Sequence, residues 1–321
     1  MSLGETLKLL SPELILLFTG LVVLCVDFIW RDEAPSGGKK TLWVPALALA
    51  GLGAALLTTV LLWGTPATVV LHMMAVDPFA LFFKILAITT VMLVVLAAVP
   101  YLQGRTPYRG EFCSLRVFAA LAICLATSGI DLILIYLGME FLSITSYVLA
   151  GYLRDDKKSN EAGVKYFLYG AVASALMLYG MSLLFGATGT TNLTGIAQGL
   201  VTGVESIQWL AVASIVLLLA GFGFKIVLAP FHQWAPDTYE GAPTPVTAFL
   251  SVGSKAAGFA ILIRGFLTAL PACRWASGWV ALRVGLSVVA RVVGRVIARG
   301  RTGVGGVLAV WGGWRGGFSS G

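Results

Sequence analysis

FKIVLAPFHQWAPDTYEGAPTPVTAFLSVGSK, residues 224–255, has a lysine as its second residue and another as its last, with four prolines between them. Apolar runs flank it on both sides. Proline removes a backbone donor and interrupts a helix. At membrane depth such broken backbone is tolerated only where protein or a water-filled cavity satisfies it. The segment carrying Lys225 is therefore expected to be discontinuous just beyond that lysine, a device recurrent in ion-coupled transporters.

The depth of the charges follows from helix rise. Lys225 lies 11 residues before Pro236 and Lys255 lies 12 after Pro243. At 1.5 Å per residue both rise ~16–18 Å from one connecting turn. Glu140 is nine residues from the opposite turn at Asp131, or ~14 Å in. All three are placed near the middle of a bilayer, where an ionisable side chain faces a bundle interior and marks an ion or proton path. A carboxylate approaching or leaving a buried lysine loads or releases its proton. The bland alternative is a structural buried pair. Asp27 and Lys84, nearer to segment ends, are expected to snorkel.

Composition agrees with a membrane location. The chain of 321 residues is 58% hydrophobic and 12% charged, against ~25% charged for a soluble domain. Hydropathy punctuated by Pro, Gly and charge predicts eight spans, at about 11–30, 41–63, 78–101, 112–130, 131–153, 163–187, 208–230 and 244–268. The first is expected to be retained, not cleaved as a signal. Basic residues occupy alternate connections (Arg31, Lys39, Lys40; Arg105, Arg109, Arg116; Arg154, Lys157, Lys158), while 64–77, 129–131 and 188–207 contain none. The positive-inside rule then places the amino terminus outside. Trp43, Trp63, Trp209 and Trp234 read as interfacial anchors, and His72 as an incidental loop residue.

Cys25, Cys113, Cys124 and Cys273 show no CxxC spacing and read as small buried hydrophobes, so no metal site is expected. The net charge of +7 lies wholly in the last fifty residues, which hold seven arginines and neither lysine nor acid. That distribution gives no reason to expect a nucleic-acid partner. Residues 272–321 also hold 12 glycines. Arg291, Arg295 and Arg299 would share one helical face, giving a basic amphipathic helix at the membrane surface. Out-of-frame translation of GC-rich DNA produces the same composition and is the favoured expectation.

Two further groups complete the candidates. Glu161 and Lys165 are four apart at the start of the sixth span, suited to an i,i+4 pair, which is either a helix-end salt bridge or a relay between Glu140 and Lys225. His232, after the Pro230 break, shuttles protons near neutral pH or is a structural histidine.

The string FKIVLAPFHQWAPDTYEGAPTPVTAFLSVGSKAAGFA resembles the signature of the antiporter-like membrane subunits of respiratory complex I. LIYLGMEFLSITSYVLAGY and EAGVKYFLYGAVASALMLYGMSLLFGATGTTNL look like the N-type subunits of bacterial NADH:quinone oxidoreductase. The resemblance runs over about residues 10–270 and implies an all-α polytopic fold. Three amino-terminal helices (1–110) would precede one antiporter-like five-helix repeat with a broken helix (111–270), and a basic Gly/Arg-rich tail (271–321) would follow. It further implies that Glu140, Lys225, Lys255, Glu161, Lys165 and His232 take part in proton translocation, driven by NADH oxidation and quinone reduction in other subunits. NAD, FMN, iron–sulfur clusters and quinone would belong to those subunits and none to this one. The implied partners are the other membrane-arm subunits, above all the neighbouring antiporter-like subunit, in a bacterial inner membrane. Members of this family carry about fourteen spans in two inverted repeats, and the resemblance covers the first repeat only. Other readings are a subunit of a multi-component sodium/proton antiporter or membrane-bound hydrogenase, or a non-translocating structural half-subunit.

Overall fold

A computed structural model describes residues 2–29, 43–202, 205–228 and 230–269, without the side chains of 202 and 205–208. The tail at 271–321 and the basic residues Arg31, Lys39 and Lys40 lie outside the described residues.

A short helix α1 (Leu3–Leu9) leads into α2 (Ser11–Ile29) and α3 (Trp43–Leu61). An antiparallel hairpin, β1 (Thr68–Val70) and β2 (Met74–Val76), follows, then α4 (Pro78–Leu102), α5 (Arg109–Ser128), α6 (Leu132–Ala150) and the 32-residue α7 (Lys157–Thr188). After α8 (Leu193–Thr202) comes α9 (Glu205–Ile226), then α10 (Trp234–Gly241), α11 (Thr244–Phe249), a π-helical turn at Leu250–Ser254, and α12 (Lys255–Ala269). Among the described residues eight helical segments are long and apolar enough to cross a membrane. The protein is a polytopic helical membrane protein.

The helices surround α5, 78% of whose membrane window is buried. Ala119, Ala120, Ala122 and Ala126 let its neighbours approach closely, the small-residue packing that lipid favours where no hydrophobic force separates helix from tail. Ser114 Oγ of α5 donates to the Gly20 carbonyl of α2 at 2.8 Å, a cross-helix bond in the same core.

One end of the bundle carries the hairpin. Ile130 N–H donates to the Met73 carbonyl at 2.9 Å, Leu193 N–H donates to the Ile130 carbonyl at 2.9 Å, and the Thr191 hydroxyl donates to Asp131 at 2.6 Å. Asp131 also caps α6 through Ile133 N–H. These bonds tie the α3–α4, α5–α6 and α7–α8 connections into one plate, and Asn192 Nδ2 reaches the His72 carbonyl at 3.4 Å. The opposite end carries α10.

The structure departs from the sequence reading in five places, the first being that Cys25 is exposed rather than buried. The 64–77 connection forms a hairpin, because β-branched Thr68, Val69 and Val70 pair with 74–76 across a turn in which Leu71 and His72 take φ of 53° and 57°. Arg116 is not a loop residue: it lies inside α5, fully buried, its guanidinium 4.9 Å from the Phe112 ring and 4.6 Å from the Phe249 ring. Trp234 is 2% exposed and anchors nothing at an interface. Lys84 does not snorkel; it is fully enclosed and paired with Glu13 at 2.6 Å.

Candidate functional site

The helix carrying Lys225 ends one residue after it, at Ile226. Val227 then adopts φ +60°, a left-handed conformation that a β-branched residue rarely tolerates, which turns the chain out of the helix axis. A helix ending inside a membrane leaves carbonyls without intrahelical partners. Here Leu228 N–H returns to the Gly223 carbonyl at 2.7 Å, and Val227 N–H to that of Phe224 at 3.3 Å. Trp234 Nε1–H, buried, donates to the same Phe224 carbonyl at 3.2 Å. Trp234 therefore seals the break.

Lys225 is 4% exposed and its Nζ has no hydrogen-bond partner among the described residues. Aromatic rings surround it. Nζ stands 6.0 Å from the Tyr147 ring and 5.7 Å from that of Phe224. Tyr166, fully buried, stacks on Trp234 at 4.3 Å and meets Tyr147 edge-on at 4.7 Å. The Glu140 carboxylate acts electrostatically on Lys225, though no ion pair joins them. Glu140 is half-buried on α6 and takes a short hydrogen bond from the Ser174 hydroxyl of α7.

Lys255 opens α12 directly after the π-helical turn, so the eighth span runs as one helical segment, Thr244–Ala269, that widens for one turn beside its lysine. π-helical turns concentrate at functional sites because they widen a helix locally and redirect its side chains. Lys255 is 6% exposed, with its Nζ 5.1 Å from the Tyr239 ring of α10. One turn further on, Gly258 faces α9: a Cβ there would stand 3.2 Å from the Lys225 Cβ. The absent side chain lets the two lysine-bearing helices meet.

Glu161 and Lys165 form the expected i,i+4 pair at 2.6 Å, and Lys165 also binds Asp237 of α10 at 2.7 Å. A second exposed pair, Lys158–Glu240 at 3.1 Å, joins the same two helices. Both clip α10 to the start of α7. His232 lies exposed in the turn between the break and α10. The structure thus groups Glu140, Lys225 and Lys255 about the break and places Glu161, Lys165 and His232 at the α10 end.

Sequence reasoning missed Ser174, Asp237 and the Glu13–Lys84 pair. Ser174 carries no periodic signal, being one hydroxyl on a long apolar helix. Asp237 stood inside the opening string and was readable as an acid facing Lys165 only once α10 had folded back. For Lys84 a signal did exist: seven residues from Asp77 is ~10 Å along a helix, deep for a side chain expected to reach an edge.

Lys225 thus stands enclosed at a helix break, within electrostatic range of the Glu140 carboxylate and without a hydrogen-bond partner at Nζ among the described residues. Fold and site together are those of an antiporter-like membrane subunit. A family model described as NADH:quinone oxidoreductase/Mrp antiporter, TM, matches residues 129–309, and the chain belongs to that family. NADH-quinone oxidoreductase subunit N of Trichlorobacter lovleyi is 42% identical over 294 residues, covering 91% of this chain and 58% of its own length. NAD(P)H-quinone oxidoreductase subunit 2 of Gloeobacter violaceus is 42% identical, with 94% and 56% covered. A chain of respiratory complex I from Thermus thermophilus with bound aureothin superposes with a TM-score of 0.71 at 33% identity, over 93% of this chain and 61% of that one. The chain spans a little over half the length of the relatives it matches.

Proposed function

We propose that this chain moves protons through the membrane arm of an NADH:quinone oxidoreductase, as a subunit without a redox centre of its own. The observation that carries the reading is Lys225: enclosed, unpartnered, one residue before the helix break and under the field of Glu140. When Glu140 is charged its field holds the ammonium of Lys225; when that charge moves or is neutralised, the enclosed ammonium loses its counter-charge and the proton leaves. Lys255, one turn from the Gly258 contact, is the next acceptor. The Lys165–Asp237 clip holds α10 over the entry side, and exposed His232 takes protons from water there.

Neighbouring membrane-arm subunits are the partners, with NAD, FMN, iron–sulfur clusters and quinone held elsewhere in the assembly. Glu140, half-buried at bilayer depth, supports this, since a charge facing hydrocarbon costs ~2.5–3.5 kcal/mol and a protein neighbour removes that cost. The membrane is the bacterial inner membrane, with the hairpin end and the amino terminus outside. Labelling of single cysteines placed at residues 4 and 72 with a membrane-impermeant reagent in intact cells tests the orientation.

Proteoliposomes of the purified chain, energised by a potassium diffusion potential and carrying an internal pH dye, test the function. Proton flux above protein-free vesicles is expected, falling to background in Lys225→Gln and Glu140→Gln. Equal flux in all three proteins rejects the reading. Flux that requires sodium favours the antiporter class instead.

A further inference from the structure

Four charged side chains toward the hairpin end take no part in the path described so far. Lys84 of α4 is fully enclosed, its Nζ 2.6 Å from Glu13 Oε1 of α2, and the Glu13 side chain is 6% exposed. Beyond that ion pair, neither the ammonium nor the carboxylate oxygens have a hydrogen-bond partner among the described residues. At the start of α4, Asp77 accepts from Ala80 N–H at 2.7 Å and takes both terminal nitrogens of Arg264 at 2.8 and 2.9 Å. Arg264 belongs to α12, nine residues beyond Lys255, or ~13 Å along the same helix.

The two pairs are coupled. The Lys84 charge acts on Asp77, and Glu13 and Lys84 both act on the buried Cys124 thiol of α5. Of the helices packed on α2, α3 carries no titratable side chain, α5 brings Cys124 to the pair, and α1 carries Glu5 and Lys8. Asp77 is 25% exposed and so reaches the edge, whereas Glu13 and Lys84 do not. Packing alone does not call for such an arrangement: a buried ion pair repays its desolvation poorly, and apolar side chains of similar volume serve a scaffold as well or better. Ionisable groups kept inside a membrane despite that cost are functional by default.

We propose that Glu13 is the proton-releasing group on the hairpin side, with Lys84 as its charge partner and the Asp77–Arg264 pair leading to the aqueous edge. The inference rests on the proton-path reading of Lys225 and Lys255. In the step, an N–H bond breaks at Lys255, the proton passes by way of α4, which packs on α12 and carries Lys84, and an O–H bond forms at Glu13; the acid then gives that proton to the medium and the carboxylate pairs again with Lys84. No electron moves. Protonated Glu13 leaves the enclosed Lys84 ammonium without its counter-charge, which favours loss of the proton, and the partly exposed Asp77 gives the outward route. The amino-terminal helices thereby belong to the path.

The proteoliposome assay separates the outcomes. Glu13→Gln with Lys84→Gln removes both charges together, so no unpaired ion is left to unfold the bundle. The proposal expects this double variant to elute and melt like the unaltered chain while its flux falls to background. Glu13→Asp, which keeps the carboxyl, is expected to restore flux with a displaced pH midpoint, a shift that a purely structural pair would not produce. Wild-type flux in the double variant, alongside background flux in Lys225→Gln, overturns the assignment and leaves the function standing. Wild-type flux in both overturns the two readings together. Should the double variant fail to fold, pH-difference infrared spectra of the unaltered chain decide: a carboxylic C=O band that moves in Glu13→Asp supports the release group, and its absence overturns it.

Discussion

Gly258 of α12 lies against Lys225 of α9, so close that a methyl group on residue 258 would stand 3.2 Å from the Lys225 Cβ and 2.8 Å from Ile226 Cγ2. Both distances are tighter than ordinary contact, and both neighbours are held by the broken end of α9. Gly258→Ala is expected to cost about 1–3 kcal/mol as overpacking, and Gly258→Val more. Thermal unfolding in detergent reads the stability, and a matching fall in proton flux would show that the helix separation at Lys225 matters for function.

Among the described residues Trp234 supplies the one side-chain donor to the Phe224 carbonyl at the helix break. Trp234→Phe keeps a ring against Tyr166 and removes the N–H, leaving that carbonyl with only the longer Val227 bond. A loss of about 1 kcal/mol is expected, seen as a lower Tm and as faster amide exchange over 223–228 with the rest of α9 unchanged.

The α10 clips differ in kind from the buried pairs. Lys165, Glu161 and Asp237 are 39, 63 and 55% exposed, so water and salt screen them. Asp237→Asn is expected to change global stability by less than about 1 kcal/mol. Amide exchange in α10 should nevertheless rise, and raising the salt concentration should produce the same rise in the unaltered chain.

Asp77 gives a pH dependence with a definite sign. Partial burial raises its pKa, but hydrogen bonds from Arg264 and from Ala80 N–H outweigh that and hold it below the usual carboxylate value. A carboxyl lowered on folding adds stability that is fully present above its unfolded pKa of ~3.9. That stability is lost as pH falls through the lower folded value. Melting curves from pH 6 downward should therefore converge between the unaltered chain and Asp77→Asn. At neutral pH the variant should be less stable by about 2 kcal/mol, below the range for breaking a fully buried pair because Asp77 is a quarter exposed.

Much of the fold was legible because lipid imposes few solutions. A run of some twenty apolar residues has to be helical to satisfy its backbone, and the boundaries read from sequence agree with α2, α3, α4 and α6 to within a few residues. The break after Lys225 was legible too, since the proline at 230 removes a backbone donor that a continuing helix would need. The π-helical turn before Lys255 was not. Leu250–Ser254 contains no proline, and its conformation depends on how Phe249 packs against Gly253 and Arg116, which are contacts across and between helices.

What the sequence by itself determined was the set of spans, the position of the break and the places of Glu140, Lys225 and Lys255 along their helices, because each follows from a local property: hydropathy, a missing donor, or rise per residue. Apart from Glu161–Lys165, a pair that i,i+4 spacing predicted, which charges meet was decided only in three dimensions. Hydropathy treats Lys84 and Lys165 alike, as lysines some residues into an apolar run. Yet one is sealed against Glu13 and the other is clipped in the open to Glu161 and Asp237. The difference lies in which face of each helix is covered by another, and with 3.6 residues per turn and several possible neighbours that is settled by the packing of the whole bundle.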